Sequence, residues 1–560
     1  MREVSTAATG TVHGNRVSQA VYIAFILLLF GQAAIYRFNL PQVPFIDPDV
    51  RGYLVPALSG LADHGFQHVE GRSFVYPGFV YIILLLFRDF HAISVIQHLF
   101  GLAAGGLLIM CWNCAGRFLG KTPGLIYRVA GLVVGALFLF NASVLRFEYL
   151  IRPEAIFPFF TVLSLFLNLR FIRLRILAKA ETNLRIQSTR DRQRTEFVYG
   201  VFILSNAVLL FFLKPSFYLA SLLATVPVWS FLLDREELLV RRLRTVGLAG
   251  AIAFLILFLP EHFLKSNDPD SKTFLPTTLF LIHANIIREQ MKQDIERKAA
   301  TPYALEFLES AYTLLDQEIN LSRQTGRYRS LGFDPDYLMY RDSFDNKFSL
   351  SLGPESTDRR IKFYDYYFFR AWSHQPLRML AKIATELSIV YNSVGKASPY
   401  KLEDHTSFGT SYADNHELFV IKLGAPEIQN EILTAFRRDT DKLLRSQTQL
   451  IQPKLVSRVN RVFARTFSTF VLLTLVLAAF IMRDPSLRKE YGHYAMITLL
   501  FYGYSFFDSL GIAIIHTLGI TRYLTNQVIY CLLPQSMTFC LVLELLWRRT
   551  GGRREGLTGI

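Results

Sequence analysis

Eleven apolar stretches punctuate the chain, at about 17–36, 74–87, 92–115, 124–145, 155–172, 197–213, 216–233, 246–260, 466–482, 494–515 and 525–547. A helix needs roughly 20 apolar residues to cross a hydrocarbon core, and most of these stretches approach or reach that length. The stretch 74–87 does not. It holds about 14 residues, contains Pro77 and Gly78, and is bounded by Arg72 and by Arg88-Asp89. That pattern predicts a re-entrant or interfacial helix. The basic residues support the distinction. Arg170, Arg173, Arg175, Lys179, Arg185, Arg190, Arg192 and Arg194 face only Glu181 and Asp191 within one connection, so that connection should be cytoplasmic. It falls on that side only if 74–87 does not cross. The clusters around Arg117, Lys121 and Arg128, Arg235–Arg244, Arg483–Lys489 and Arg548–Arg554 then fall on the same side. The prediction is a polytopic α-helical membrane protein with ten transmembrane helices, an interfacial helix in the first outer loop, and both termini cytoplasmic. The polar start, MREVSTAATGTVHGNR, precedes the first stretch without a small-residue cleavage site and reads as part of an uncleaved anchor.

Between the seventh and eighth predicted spans lies a hydrophilic segment, 261–465, long enough to form its own core. Helical periodicity at 300–320 and 364–392 predicts a mainly helical extracytoplasmic domain. The organisation is therefore a membrane module at 1–260, this insertion, and C-terminal membrane helices at 466–560.

Composition narrows the function. The 560 residues are 51% hydrophobic and carry a formal charge of +15, with a mean hydropathy of +0.28. The basic residues sit in short loops beside apolar runs, which marks membrane orientation and not a nucleic-acid surface. Cys111 and Cys114 form a CxxC at the end of an apolar run without a second pair, and Cys531 and Cys540 lie in another run. All four read as small buried hydrophobes, so neither a disulfide framework nor a zinc site is expected. Walker, G-x-S-x-G and HExxH motifs are missing, which removes support for ATPases and soluble hydrolases.

Candidate chemistry concentrates in the first outer loop, FIDPDVRGYLVPALSGLADHGFQHVEGRSFVYPG. Asp47, Asp49, Arg51, Asp63, His64, His68, Glu70 and Arg72 gather there beside the bilayer, where charges are costly to desolvate. A short helix beginning near Pro48, with Asp47 as its N-cap, would place Asp49 and Tyr53 on one face. Asp49 also has the simpler reading of a helix-start acid complementing the dipole. A second acidic turn, Glu148, Arg152 and Glu154, falls on the same predicted membrane face, with Pro153 and Glu154 suited to start a helix. Arg72, Arg152 and Lys214 are placed to meet a lipid phosphate at headgroup level, although Lys214 also fits ordinary snorkelling. Gln97-His98 and His283 read as packing residues. Asp334-Pro335-Asp336 lacks the Gly and terminal Glu of a calcium loop and reads as solvated.

Three stretches carry a family resemblance. D-V-R-G-Y-L-V-P-A-L, G-R-S-F-V-Y-P-G-F-V-Y and R-P-E-A-I-F-P-F-F resemble the first-loop Asp motif, the interfacial R-x-P-x-Y-P element and the second acidic loop of the multi-spanning C-type (GT-C) glycosyltransferases. That superfamily includes the lipid A aminoarabinose transferases and the protein O-mannosyltransferases. The resemblance covers roughly residues 17–260, and the 105 residues from Asp49 to Glu154 also suit it. Ser73-Phe74 stands where the family often has Pro, and the 261–465 insertion departs from the usual plan. The resemblance implies an inverting transfer of a sugar from a polyprenyl-phosphate donor to an extracytoplasmic lipid, glycan or protein acceptor, at the outer face of an inner (plasma) membrane. Asp49 would be the general base, with Asp47 and Glu154 beside it in the catalytic set. Arg51, Tyr53, Arg72, Tyr76, Glu148, Arg152 and Lys214 would bind substrate. Some members require a divalent cation, for which Asp47, Asp49 and Glu154 are the available ligands. Two other classes fit the same topology: a transporter or flippase for lipid-linked glycans, and a non-catalytic assembly protein. A transporter usually shows paired halves, and no internal repeat is present here.

Overall fold

The structure is a computed structural model that describes residues 6–66, 72–119, 124–180, 188–234, 239–266, 272–328, 330–340, 342–353, 356–392, 400 and 405–555. His68, Glu70, Lys121 and Arg185 lie outside these residues.

Among the described residues, nine helices are long and apolar enough to cross a membrane: Gln19–Phe38, His91–Phe118, Phe157–Ile176, Gln193–Leu213, Pro215–Leu232, Leu239–Lys265, Lys454–Arg483, Pro485–Ile515 and Val528–Arg549. The count reaches ten when Leu125–Leu139 and Ala142–Tyr149, bent by 45° at the break between them, are taken as one span. Its contacts run from one end of the bundle to the other. Near its start, Tyr127 stacks on Trp112 at 4.5 Å and Arg128 lies over the Tyr22 ring. At its finish, the Leu139 carbonyl accepts a hydrogen bond from Arg37, fifteen residues beyond Tyr22 along the first span. The break falls at Asn141, whose side chain accepts from the backbone N–H groups of Ser143 and Val144 and so caps the second helix. Val75–Phe87, by contrast, has 13 residues and is too short to cross. It ends in a left-handed Arg88 (φ 51°) that closes its last turn. Its far side exposes Leu85, Leu86 and Phe87, an apolar surface suited to lipid.

The first loop is stitched to the acidic turn by backbone pairing. Phe45 N–H donates to the Tyr149 carbonyl at 2.7 Å and Ile151 N–H donates to the Phe45 carbonyl at 3.1 Å. Beneath this bridge, Arg37 makes a bidentate ion pair with Glu148 at 2.8 and 2.9 Å, and His98 Nδ1 lies 2.8 Å from the same carboxylate. All three are buried. Gly101 leaves the space this carboxylate occupies, since a Cβ there would lie 2.0 Å from Glu148 Oε1. Gly101→Ala is therefore expected to displace Glu148 and lower the unfolding temperature in detergent, whereas Gly106→Ala, whose nearest contact would be 3.6 Å, should leave it nearly unchanged.

The hydrophilic segment is mainly helical, as expected, but it is not one separate unit. The membrane helices extend further than their apolar runs, to Ser266 on one side and from Lys454 on the other. The first half of the segment has its own aromatic core, with Phe280, Phe344, Phe348, Phe363, Tyr364 and Tyr367 in contact. The second half shares the core of the membrane module. Phe436 stacks on Phe90 at 4.0 Å, Phe408 and Tyr412 pack edge-on to Phe45, and Asn415 hydrogen-bonds both Ile46 N–H and the Pro44 carbonyl. A two-stranded antiparallel sheet, His405–Ser407 with Gln449–Ile451, closes this half.

Arg175, Arg241 and Arg548 pair with Asp234, Glu196 and Glu490 at the opposite end of the bundle from this segment. Single cysteines at Glu427 and Lys489 should therefore react with a membrane-impermeant maleimide from opposite sides of the membrane. The native cysteines are buried and contribute little background. Labelling of both positions from one side would contradict a crossing by Lys454–Arg483, the one span between them.

Candidate functional site

Residues from four separated segments converge where the first loop meets the hydrophilic segment. Pro48 and the Asp47 side chain, which accepts from Asp49 N–H at 3.0 Å, turn the chain just before the helix Val50–Leu61. The helix thus begins two residues later than the Pro48 start expected from sequence, and Asp49, at its N-cap position, makes no side-chain cap. The Asp49 carboxylate instead points at three guanidinium groups. Arg152 Nη2 donates to it at 2.5 Å, Arg522 Nη1 at 2.6 Å, and Arg72 Nη2 lies 3.2 Å away. Arg152 also binds Asp47, and its Nε lies 3.6 Å from Glu154. Arg72 donates to the Tyr53 hydroxyl at 2.8 Å and lies over the same ring. Tyr53 packs edge-on to Tyr76, whose hydroxyl donates to Gln97.

The electrostatics follow from these partners. Burial alone would push Asp49 up. The charges of Arg72, Arg152 and Arg522 outweigh that and hold it well below the usual carboxylate range. Glu154 is likewise pushed up by burial but held below its usual value by Arg152, Lys214 and Arg522. Asp47 is raised, because its burial and the neighbouring Asp49 charge exceed what Arg152 returns. Of the pair Asp47 and Asp49, Asp47 takes a proton first. Lys214 is buried, with its Nζ over the rings of Phe157 (5.5 Å) and Tyr523 (5.1 Å) and without a hydrogen-bond acceptor among the described residues. Burial lowers its pKa, against the opposing charges of Asp508 and Glu154. Three carboxylates (Asp47, Asp49, Glu154) lie among three guanidiniums (Arg72, Arg152, Arg522), and Lys214 is shared between Glu154 and Asp508; the guanidiniums are the groups suited to an anionic ligand.

Two cavities share this cluster as a common wall. A cleft of about 1000 Å³ is lined by Asp47, Asp49, Arg51, Arg72, Arg152 and Arg522, with its far side contributed by the hydrophilic segment. A second cavity of about 540 Å³ touches Asp47, Arg152 and Arg522 from the other side and reaches Ser143, Asp414 and Glu417.

The structure therefore brings together Asp47, Asp49, Tyr53, Arg72, Arg152 and Glu154, with Arg51 exposed at the cleft. Tyr76 supports Tyr53 from behind. Lys214 and Glu154 line neither of the two cavities. Glu148 stands apart: its carboxylate is committed to Arg37 and His98. Arg522 was not anticipated. It lies 473 residues from Asp49, in the short connection before the last span. The available signal was a basic residue in a short connection on the predicted outer face, the side that membrane orientation does not require to be basic.

A divalent cation does not fit these residues as they stand. Arg152 already fills the space between the three carboxylates, and among the described residues no cluster of three or more His, Cys, Asp or Glu side chains is arranged to hold a metal ion.

Fold and site together define a polytopic helical membrane protein with a buried carboxylate–arginine cluster at one end of its bundle. No protein-family model, no curated protein and no solved structure matches the chain.

Proposed function

We propose that the protein is a membrane glycosyltransferase that takes a sugar from a polyprenyl-phosphate donor on the outer face of a plasma membrane. The observation that carries this reading is the set of three arginines converging on Asp49 at the wall between two cavities. Transfer by single displacement needs two things at one point: a base for the acceptor and positive charge for the departing phosphate. As the acceptor oxygen or nitrogen bonds to the anomeric carbon, its proton passes to Asp49. The bond from that carbon to the phosphate oxygen breaks, and its electron pair stays with the polyprenyl phosphate. Arg72, Arg152 and Arg522 meet that developing charge.

In the ligand-free arrangement Asp49 is a poor base, because three cations stabilise its ionised form. A donor phosphate competes for the same guanidiniums and relieves that stabilisation. The reading therefore orders the substrates, donor before acceptor. The exposed apolar residues Ile82 and Leu85–Phe87, at the end of Val75–Phe87 away from Arg72, supply a surface for the distal part of the prenyl chain.

Arg522→Gln removes one charged donor from the cluster. Transfer of label from a polyprenyl-phosphate sugar should fall by roughly 10²–10³-fold, as for removal of other transition-state donors. Activity within a factor of about two of wild type would remove the arginine cluster from the mechanism.

A further inference from the structure

Much of the far wall of the large cleft belongs to Arg327, Tyr328 and residues 334–340 of the hydrophilic segment, and its chemistry is unlike that of the arginine wall. Tyr340 presents a ring that is 61% exposed even though it lines the cleft, and its hydroxyl has no hydrogen-bond partner among the described residues. Asp336, four residues earlier on the helix Pro335–Tyr340, accepts from the Tyr328 hydroxyl through Oδ2. Arg327 lies 3.5 Å from that same oxygen, so Oδ1 is left without a hydrogen-bond partner among the described residues. The wall is held firmly. Asp334 is buried and caps the helix through Asp336 N–H and Tyr337 N–H at 3.0 and 3.2 Å, and Leu338 is fully buried in the aromatic core.

We infer that this wall reads the sugar, so that Tyr340 and Asp336 select a hydroxyl-rich, uncharged sugar whose phosphate lies on Arg72, Arg152 and Arg522. The inference rests on the glycosyltransferase reading and assigns the hydrophilic segment a task within it. A pyranose or furanose has an apolar face of C–H groups and a rim of hydroxyls. An exposed aromatic ring covers the first, and a carboxylate oxygen accepts from the second. A sugar acid would set its own carboxylate against Asp336, whose charge Arg327 offsets only in part from 3.5 Å on a largely exposed side chain, so that class is disfavoured. The cleft, at about 1000 Å³, is at the upper end of the range that encloses a compact ligand, and far larger than a lone phosphate requires.

The test measures binding by the full chain in lipid nanodiscs. The probes are farnesyl phosphate and farnesyl phosphates bearing glucose, galactose, mannose or glucuronic acid. Wild type should bind bare farnesyl phosphate, bind at least one neutral sugar conjugate more tightly, and disfavour the glucuronic acid conjugate. Tyr340→Ala and Asp336→Asn should each weaken that neutral conjugate about tenfold or more, while leaving farnesyl phosphate within about twofold. Tyr340→Phe, which keeps the ring, should retain most of the affinity. Arg72→Gln should weaken both kinds of probe. If Tyr340→Ala and Asp336→Asn bind every probe as wild type does, or lose bare farnesyl phosphate equally, the inference fails and the glycosyltransferase reading stands. If wild type binds no probe, both fail.

Discussion

Asp49→Asn is expected to reduce sugar transfer by roughly 10²–10⁴-fold while leaving donor binding intact or slightly stronger. Asparagine keeps the shape of the side chain and one acceptor oxygen but cannot take the acceptor's proton. It also removes the charge that holds Arg72, Arg152 and Arg522 together. The three guanidiniums then have only Asp47 and Glu154 nearby as counter-charges, which makes the cluster more attractive to a phosphate. The two effects have opposite signs on binding and on turnover, so a single-turnover assay with pre-bound donor separates them. A variant that lost donor binding and transfer in equal measure would instead point to a folding defect. Because the folded protein depresses the Asp49 pKa, its ionised form contributes stability above the unfolded value of about 3.9. That contribution fades only as the pH falls below it. The variant should accordingly lose stability at neutral pH and converge on wild type in acid.

Glu148→Gln is expected to lower stability by about 3–5 kcal/mol, the usual cost of leaving a buried partner charge uncompensated. Arg37 and Glu148 are 0% and 1% exposed. The guanidinium is satisfied by both carboxylate oxygens and by the Leu139 and Ala33 carbonyls. The amide presents one acceptor and a donor that Arg37 cannot use. Replacing both partners with apolar residues, Arg37→Met with Glu148→Leu, should recover much of the loss, measured as unfolding temperature in detergent. Residual transfer by the folded fraction of Glu148→Gln should remain near wild type, since Glu148 faces away from both cavities.

The membrane architecture was legible because lipid imposes a length rule that local composition reveals. The same rule separated the 13-residue helix Val75–Phe87 from the crossing helices. The meeting of Asp49, Arg72 and Arg152 was foreshadowed by their shared membrane face. Their geometry was not: Arg152 between three carboxylates is a tertiary fact, and Arg522 arrives from the far end of the chain. Glu148 illustrates the limit. Its sequence setting, an acid in a turn beside Arg152 and Glu154, is the same for a substrate ligand as for a structural ion pair. Only the first span, passing behind it with Arg37, decides the matter. The hydrophilic segment misled for a related reason. Its amphipathic helices reveal that one face is buried, not what buries it. For 405–452 the partner is the membrane module itself, through contacts such as Phe436 on Phe90. Loop 516–519 is fastened to the same segment, with Lys382 donating to the Ala513 and His516 carbonyls and Glu386 accepting from Leu518 N–H. Arg522 is thus positioned by residues more than a hundred places earlier in the chain.

The most direct test reconstitutes the purified protein in liposomes with a radiolabelled polyprenyl-phosphate sugar and membrane-extracted acceptors, comparing wild type with Asp49→Asn. A labelled product that forms with wild type and not with the folded variant is the predicted result, and the product names the acceptor. Label that crosses the bilayer at equal rates with both proteins, and appears in no new product, would contradict the account and make the protein a carrier of lipid-linked glycans.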